Sequence, residues 1–182
     1  MVAEKLVGQP LKRKEDPRLI TGAGNFLDDV KLTGMTHAYV VRSPYGHARI
    51  RSIDASRARS MPGVVGVFTG EDLAAVNPLP CAWPAAGGEN NMNTPRVLAI
   101  GEVHQVGDPV AVVVAESRYQ AKDAADAVDV DYEDLGTVVD AYKATLPGAP
   151  QLHENAPNNV AVRWTCGKDA AEVDAALAAA DV

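Results

Sequence analysis

The chain has 182 residues, 47% hydrophobic and 23% charged, which are ordinary values for one globular core with an appendage. Its net charge of −7 is uneven, because residues 1–60 carry 11 Lys/Arg against 6 Asp/Glu and residues 61–182 carry 6 against 18. No stretch approaches the ~20 apolar residues of a membrane span, and the first residues lack the apolar segment of a signal peptide. Two isolated cysteines, Cys81 and Cys166, favour a reduced, cytoplasmic protein.

The first residues are predicted to form an extended arm. Residues 1–20 are mostly polar and charged, and Pro10 and Pro17 disfavour a helix. Gly22 and Gly24 then supply turns. Residues 35–42 have the composition of a strand and are followed by a turn.

The first strand–helix–strand unit is predicted over residues 48–68. Residues 48–53 alternate as a strand with one charged face, and Asp54 can cap a short helix over 55–61. Pro62 and Gly63 end that helix before a strand at 64–68. A second short helix is predicted over 71–76.

A long irregular segment separates the two halves. Residues 77–95 contain four prolines, two glycines and four asparagines, and are predicted to hold no regular structure. Apolar side chains within it (Leu79, Trp83, Met92) indicate contact with another surface. Strand character resumes at 97–100 and Val103.

The second strand–helix–strand unit, residues 106–135, has the clearest pattern. Residues 110–115 form a continuous apolar run, typical of a strand buried on both faces. Ser117 is placed to cap a helix that has alanines at 121, 124 and 125 on one face and charges on the other. From Val128 the period changes to two, which predicts a strand with one wet face.

The tail is predicted to be mostly loop. Residues 137–159 contain three prolines, residues 160–164 could form a strand, and residues 169–180 form an alanine-rich helix with a thin apolar face. The chain then stops at Val182 without a cap, which favours an excised piece of a longer protein over a natural truncation.

No residue pattern indicates an active site. The histidines do not pair with one another or with cysteine at helical spacing, so no metal site is predicted: His37, His47, His104 and His153. Cys81 is interpreted as a structural thiol, and Gly22-Ala23-Gly24 as a turn that lacks the strand and helix of a dinucleotide site. A dense group of carboxylates is assigned to solvated faces: Asp123, Asp126, Asp129, Asp131 and Glu133. The basic run Lys12–Lys14 lacks interleaved aromatics, which disfavours nucleic-acid binding.

Four blocks of sequence carry a resemblance to a known family. They are EDPRLITGAGNFLDDV (Glu15–Val30), VRSPYGHARIRSID (Val41–Asp54), MPGVVGVFTGEDL (Met61–Leu73) and VGDPVAVVVAESRYQAKDAADAVDVDYEDL (Val106–Leu135). In this order they resemble the opening domain of the large subunit of molybdenum hydroxylases, the xanthine dehydrogenase / aldehyde oxidase family. The first block is most similar to the aerobic carbon monoxide dehydrogenase large-chain branch.

The resemblance implies an α+β fold, the α/β-hammerhead, with two strand–helix–strand units and a twisted mixed sheet. It divides the chain into an extended arm (1–20), the hammerhead domain (21–145) and a C-terminal loop and helix (146–182) that lead into a molybdenum-cofactor domain beyond the chain. It also implies that the whole enzyme is a molybdopterin-dependent oxidoreductase, with [2Fe–2S] clusters and FAD on partner subunits or domains.

The resemblance implies no chemistry in this part of the enzyme. The catalytic Glu and the molybdenum-cofactor domains follow the hammerhead domain in the family, so this fragment is expected to be inactive alone. No catalytic, cofactor-binding or metal-binding residue is assigned here, and no cofactor is expected in the fragment. The substrate stays open among carbon monoxide, an aldehyde, a purine and another N-heterocycle.

Two functions from different classes are weighed. The first, favoured because it explains the four ordered blocks, is a non-catalytic domain that packs against the molybdopterin-binding domains and the FAD and iron–sulfur subunits. The arm before Gly22 and the loop 77–95 are expected to make those contacts. The alternative is a free-standing module that binds a protein or nucleic acid, which predicts affinity without any other subunit.

Overall fold

The computed structural model describes residues 6–80, 89–91, 93–163 and 167–180, and it divides into two units, Met1–Met35 and Thr36–Val182. Cys81, Trp83, Met92 and Cys166 therefore lie outside the described residues, and so do the predictions made for them. No helix in the described ranges is both long and apolar enough to cross a membrane.

The first unit contains a short helix where only an extended arm is predicted. Helix α1 (Asp16–Ile20) has Pro17 in its first turn, a position where the fixed φ of proline suits a helix and its missing N–H costs no hydrogen bond. A 3-10 turn follows at Leu27–Asp29, and the carboxylate of Asp29 accepts a hydrogen bond from the Phe26 backbone N–H at 2.9 Å. No described residue of this unit is buried.

The second unit holds the strands and the remaining helices. Its strands are β1 (His37–Arg42), β2 (Ala48–Asp54), β3 (Val64–Thr69), β4 (Glu89–Asn90), β5 (Glu102–Val103), β6 (Pro109–Ala115), β7 (Asp129–Asp134) and β8 (Val162–Arg163). Its α-helices are α2 (Ser56–Arg59), α3 (Arg118–Ala125), α4 (Ala141–Ala144) and α5 (Ala170–Ala178), with 3-10 turns at Glu71–Leu73 and Pro157–Asn159. The predicted α+β class is confirmed.

The strands form three sheets, with orders β1-β6-β3, β5-β2-β7 and β4-β8. Every pairing among the described strands is antiparallel, so the sheets are not the single mixed sheet predicted. The reason is that both strand–helix–strand units are present but change sheets. The unit β2–α2–β3 begins in the second sheet and ends in the first, and β6–α3–β7 runs in the opposite sense. A parallel pair within one sheet would need its crossover to return to the same sheet.

The helix α3 packs through alanines, as its sequence predicts. The hydroxyl oxygen of Ser117 accepts a hydrogen bond from the Gln120 backbone N–H at 3.3 Å and thereby caps the helix. Its three alanines at 121, 124 and 125 are buried, and the last two join a core cluster with Ala58, Val67 and Val113. Small side chains on the buried face allow the helix to approach the sheet closely.

The strand β6 is the centre of the first sheet and contributes to two core clusters. Val113 lies in the cluster under the helices, whereas Val110 packs with Ala48 and Val103 in a second cluster. Val112 and Val114 are half-buried, so burial on both faces is confirmed for only part of the strand. The expected wet face of β7 is present, because Asp129 and Asp131 are exposed while Val130 is half-buried.

Several shorter predictions need correction. Residues 97–100 are not a strand, although Leu98 is buried and the Ala99 N–H donates to the Pro109 carbonyl at 2.7 Å. Residues 89–90 of the irregular segment do form a strand, because they pair with β8. The helices predicted at 55–61 and 71–76 are shorter than expected. The N-cap of α2 is Ala55 and not the predicted Asp54, although the Asp54 carboxylate accepts a hydrogen bond from the Ser56 N–H at 2.9 Å. In the second turn the carboxylate of Asp72 accepts a hydrogen bond from the Thr69 N–H at 2.7 Å.

Candidate functional site

The carboxylates assigned to solvated faces do not form a site. Asp123 and Asp126 are exposed on α3, where Asp126 pairs with Lys122 one turn away. Glu133 on β7 lies half-buried between Arg49 and Arg51, with closest nitrogen–oxygen distances of 3.2 and 3.5 Å. These charges balance one another on the surface, and surface pairs of this kind contribute little to stability.

Three of the four histidines meet at one edge of the second sheet. The antiparallel pairing of β2 with β5 places Ala48 opposite Val103 and Arg49 opposite Glu102. His47 and His104 immediately flank this pairing, and their rings lie 5.5 Å apart between centroids. His153, from the loop before β8, stacks on His104 with a centroid separation of 4.1 Å. His37 is a residue of β1, in the other sheet.

The His47 side chain is buried and has one hydrogen bond among the described residues. Its Nδ1 lies 2.9 Å from the carbonyl oxygen of Gly136, and a carbonyl can only accept, so Nδ1 carries the proton. In the neutral ring the other nitrogen, Nε2, is then an acceptor. That atom is buried and has no hydrogen-bond partner within the part of the chain that the structure describes. Only 5% of the residue is exposed, so water gives it little compensation.

Glu102 faces the two histidines with one oxygen and an arginine with the other. Its Oε2 lies 3.9 Å from Nε2 of His47 and 3.9 Å from Nε2 of His104, whereas its Oε1 lies 3.5 Å from Arg49. Both histidine distances are too long for hydrogen bonds. The three ligand-type atoms of His47, Glu102 and His104 all lie within 4.8 Å of one another.

The surroundings favour the neutral imidazole at His104 and at His153. Burial lowers the pKa of His104, and the neighbouring His153 and His47 lower it further, against the opposing effect of Asp108 and Glu102. Burial likewise lowers the pKa of His153, with His47 as the next cause. The carboxylate of Asp108 accepts a hydrogen bond from the His104 backbone N–H at 2.7 Å and fixes the turn that carries the ring.

An open cleft of about 800 Å³ adjoins this group, which we call the histidine cluster: His47, Glu102, His104 and His153. Its other wall includes Asn93, Gly136 and the loop Pro150–Asn155. The cluster therefore has access to small solutes from one side, while the sheet closes the other.

Sequence spacing did not indicate this cluster. His47 and His104 are separated by most of the fold, and only the β2–β5 register brings them together. The one sequence signal is that each lies beside a short predicted strand, at 48–53 and at Val103. Pairing those two strands in the observed register would have placed both histidines and Glu102 at one edge.

The fold has known relatives. Residues 21–136 match the family described as aldehyde oxidase and xanthine dehydrogenase, a/b hammerhead domain. In the carbon monoxide dehydrogenase large chain of Afipia carboxidovorans, 42% of aligned residues are identical, over 99% of this chain and 23% of that protein. The nicotine 6-hydroxylase large subunit of Paenarthrobacter nicotinovorans is 41% identical over 89% of this chain and 20% of its own length. The xanthine dehydrogenase molybdenum-binding subunit of Escherichia coli O157:H7 is 34% identical over 74% of this chain and 18% of its own length.

Solved structures agree with these relatives. A Cu,Mo-CO dehydrogenase in its carbon monoxide reduced state superimposes with a TM-score of 0.74 and 38% identity, over 96% of this chain and 23% of that one. Quinoline 2-oxidoreductase from Pseudomonas putida 86 gives a TM-score of 0.73 and 39% identity, over 82% of this chain and 19% of that one.

The fold is thus that of an α/β-hammerhead domain, as predicted. The chain belongs to the aldehyde oxidase and xanthine dehydrogenase family. It spans less than a quarter of the length of the curated relatives it matches.

Proposed function

We propose that this chain is the non-catalytic N-terminal domain of a molybdopterin-dependent oxidoreductase, and that it packs against the molybdenum-binding part of the same large subunit. The relatives named above include a molybdenum-binding subunit and two proteins described as large chains or large subunits. The FAD and iron–sulfur partners implied by the resemblance belong to this same proposal, as does the absence of turnover by the isolated domain.

A partly exposed apolar row on the first sheet carries the packing proposal. Val112 pairs with Val40 on one side and Phe68 on the other, so the three side chains form a row across β1, β6 and β3. Val67, the neighbour of Phe68, is buried in the core, and therefore Phe68 points to the opposite face, where it is 44% exposed. An apolar row across three strands is suited to burial against another protein surface.

The test is assembly of the domain with the rest of its enzyme. We would co-express the chain with the molybdenum-binding and partner subunits of the same organism and measure co-elution in size-exclusion chromatography. Phe68→Asp should reduce co-elution at least tenfold, because it places a charge in the apolar row that would be buried in the assembled enzyme. Tyr119→Asp is the matched control, since Tyr119 is an aromatic residue on α3 that is 84% exposed and should tolerate the change.

Equal assembly of Phe68→Asp and the wild type would refute the packing proposal. Oxidation of an aldehyde or purine by the isolated chain, with an added electron acceptor, would refute its non-catalytic role.

Nothing in the comparisons supports the alternative of a free-standing binding module. That alternative requires affinity for a nucleic acid or protein in the absence of other subunits, and for a nucleic acid the affinity must fall steeply with salt. A mobility-shift titration at low and moderate salt is the direct check on it, and we expect no binding at either salt.

A further inference from the structure

We propose that His47, Glu102 and His104 form a binding site for a divalent transition-metal ion, with Zn²⁺ as the best-matched ion. The sequence alone assigns no residue of this chain to a metal site. Two imidazole nitrogens and one carboxylate oxygen are a donor set that zinc accepts, with a further position left for water or another ligand.

The tautomer of His47 is the first argument. Its Nδ1–H donates to the Gly136 carbonyl, which leaves the lone pair of Nε2 directed toward the same space as Glu102 Oε2, 3.9 Å away. The buried Nε2 has no hydrogen-bond partner among the described residues, and a cation bound between it and the half-buried Glu102 carboxylate would be attracted by both atoms.

A carbonyl on the distal nitrogen is also the usual support of a metal-bound imidazole. It fixes the ring orientation and raises the basicity of the ligating nitrogen. Arg49 has a comparable role toward Glu102, since it lies 3.5 Å from Oε1 and leaves Oε2 toward the histidines. His47 and Glu102 are therefore both oriented before an ion binds.

The distances fit an ion after a contraction of the group. Tetrahedral zinc with bonds of about 2.0–2.1 Å separates its ligand atoms by about 3.4 Å. Glu102 Oε2 lies 3.9 Å from each histidine Nε2, so each of these two pairs must close by roughly half an ångström. The ligand atoms of the two histidines lie within 4.8 Å of each other and must close by about 1.4 Å at most. Glu102 and His104 are only half-buried and can make this movement. The stacked ring of His153 shields one side, and the cleft leaves the remaining side open to water.

The experiment is a calorimetric titration of Zn²⁺ into the metal-stripped chain at pH 7.5. The starting protein carries Cys81→Ser and Cys166→Ser, because free thiolates would bind the ion independently. We expect one Zn²⁺ per chain. Glu102→Gln and His104→Ala should each weaken the affinity at least tenfold, because each removes a ligand and not merely an outer contact. Co²⁺ should give the visible absorption of a four-coordinate ion in the starting protein and lose it in both variants.

Matched controls separate ligand loss from general effects. Glu133→Gln removes a carboxylate that pairs with the same Arg49, and His37→Ala removes a histidine of the other sheet. Both should bind Zn²⁺ as the starting protein does. Far-ultraviolet circular dichroism checks that Glu102→Gln and His104→Ala are folded. These two positions are chosen in place of the buried His47 because both are half-buried, so their substitution should disturb the fold less.

The proposal would be overturned if the chain bound no stoichiometric Zn²⁺ with a dissociation constant below about 0.1 mM. So would binding that Glu102→Gln and His104→Ala leave unchanged, or that His37→Ala weakens equally. None of these outcomes bears on assembly with the molybdenum-binding subunit, which is measured separately.

Discussion

Replacing Val113 by alanine tests whether the core depends on β-branched side chains. Val113 is fully buried at the centre of β6, between Val67 and the alanines of α3. The substitution removes two methyl groups, a transfer free energy of about 1.6 kcal/mol at ~0.8 kcal/mol per buried carbon. The neighbouring alanines are too small to fill the space, so a cavity term raises the expected loss to about 2–3 kcal/mol.

The assay is urea unfolding at 25 °C, followed by circular dichroism, with a thermal melt in parallel. For a chain of this size the loss corresponds to a fall in Tm of about 5–10 °C. Val65→Ala is the matched control, because it makes the same change on the neighbouring strand β3 at a residue that is 63% exposed. It should cost less than about 0.5 kcal/mol. Equal losses in the free energy of unfolding for Val113→Ala and Val65→Ala would refute the idea that the buried valine stabilises the core.

Two further predictions concern close approach and capping. A Cβ on Gly70 would lie 2.2 Å from the carbonyl oxygen of Ala99, so Gly70→Ala should cost about 1–3 kcal/mol in urea unfolding. The φ of −58° suits alanine, so an unchanged midpoint would show that the backbone at Ala99 moves freely. Hydrogen bonds from the Thr69 N–H and hydroxyl lower the pKa of Asp72 below its ordinary 3.8. The stabilising effect of this carboxylate is therefore fully present above pH 3.8 and is lost as the pH falls through its lower folded value. Acid titration of Asp72→Asn should accordingly show a stability deficit that shrinks below pH 3.8, whereas a deficit independent of pH would contradict it.

The second strand–helix–strand unit could be predicted in detail because its local signals agree. The apolar run, the Ser117 cap and the alanine spacing each indicate the same elements, and the structure has β6, α3 and β7 at those positions. Residues 97–100 show the opposite case. Their apolar pattern is that of a strand, but the segment forms no ladder: the Ala99 N–H donates a hydrogen bond to the Pro109 carbonyl, and Leu98 is buried.

The candidate site could not be predicted for a different reason. Helical or loop motifs place ligands at short, recognisable spacings, whereas His47, Glu102 and His104 meet through strand pairing between distant segments. The same holds for the sheet pattern. Local periodicity identifies a strand and its buried face. It does not identify which sheet the strand joins or whether the neighbouring strand is antiparallel.

The antiparallel ladders have a consequence for how the chain folds. None of the five ladders in the described ranges joins strands that are consecutive in the chain. For example, β1 pairs with β6, and β2 pairs with β7. No hairpin can therefore form early and template the rest, and each ladder must first close a long loop. We expect a slow refolding phase governed by contact order. The nascent domain would then expose the apolar side chains of β1 and β3 until β6 has been synthesised, and the incomplete chain would be prone to aggregation during that period.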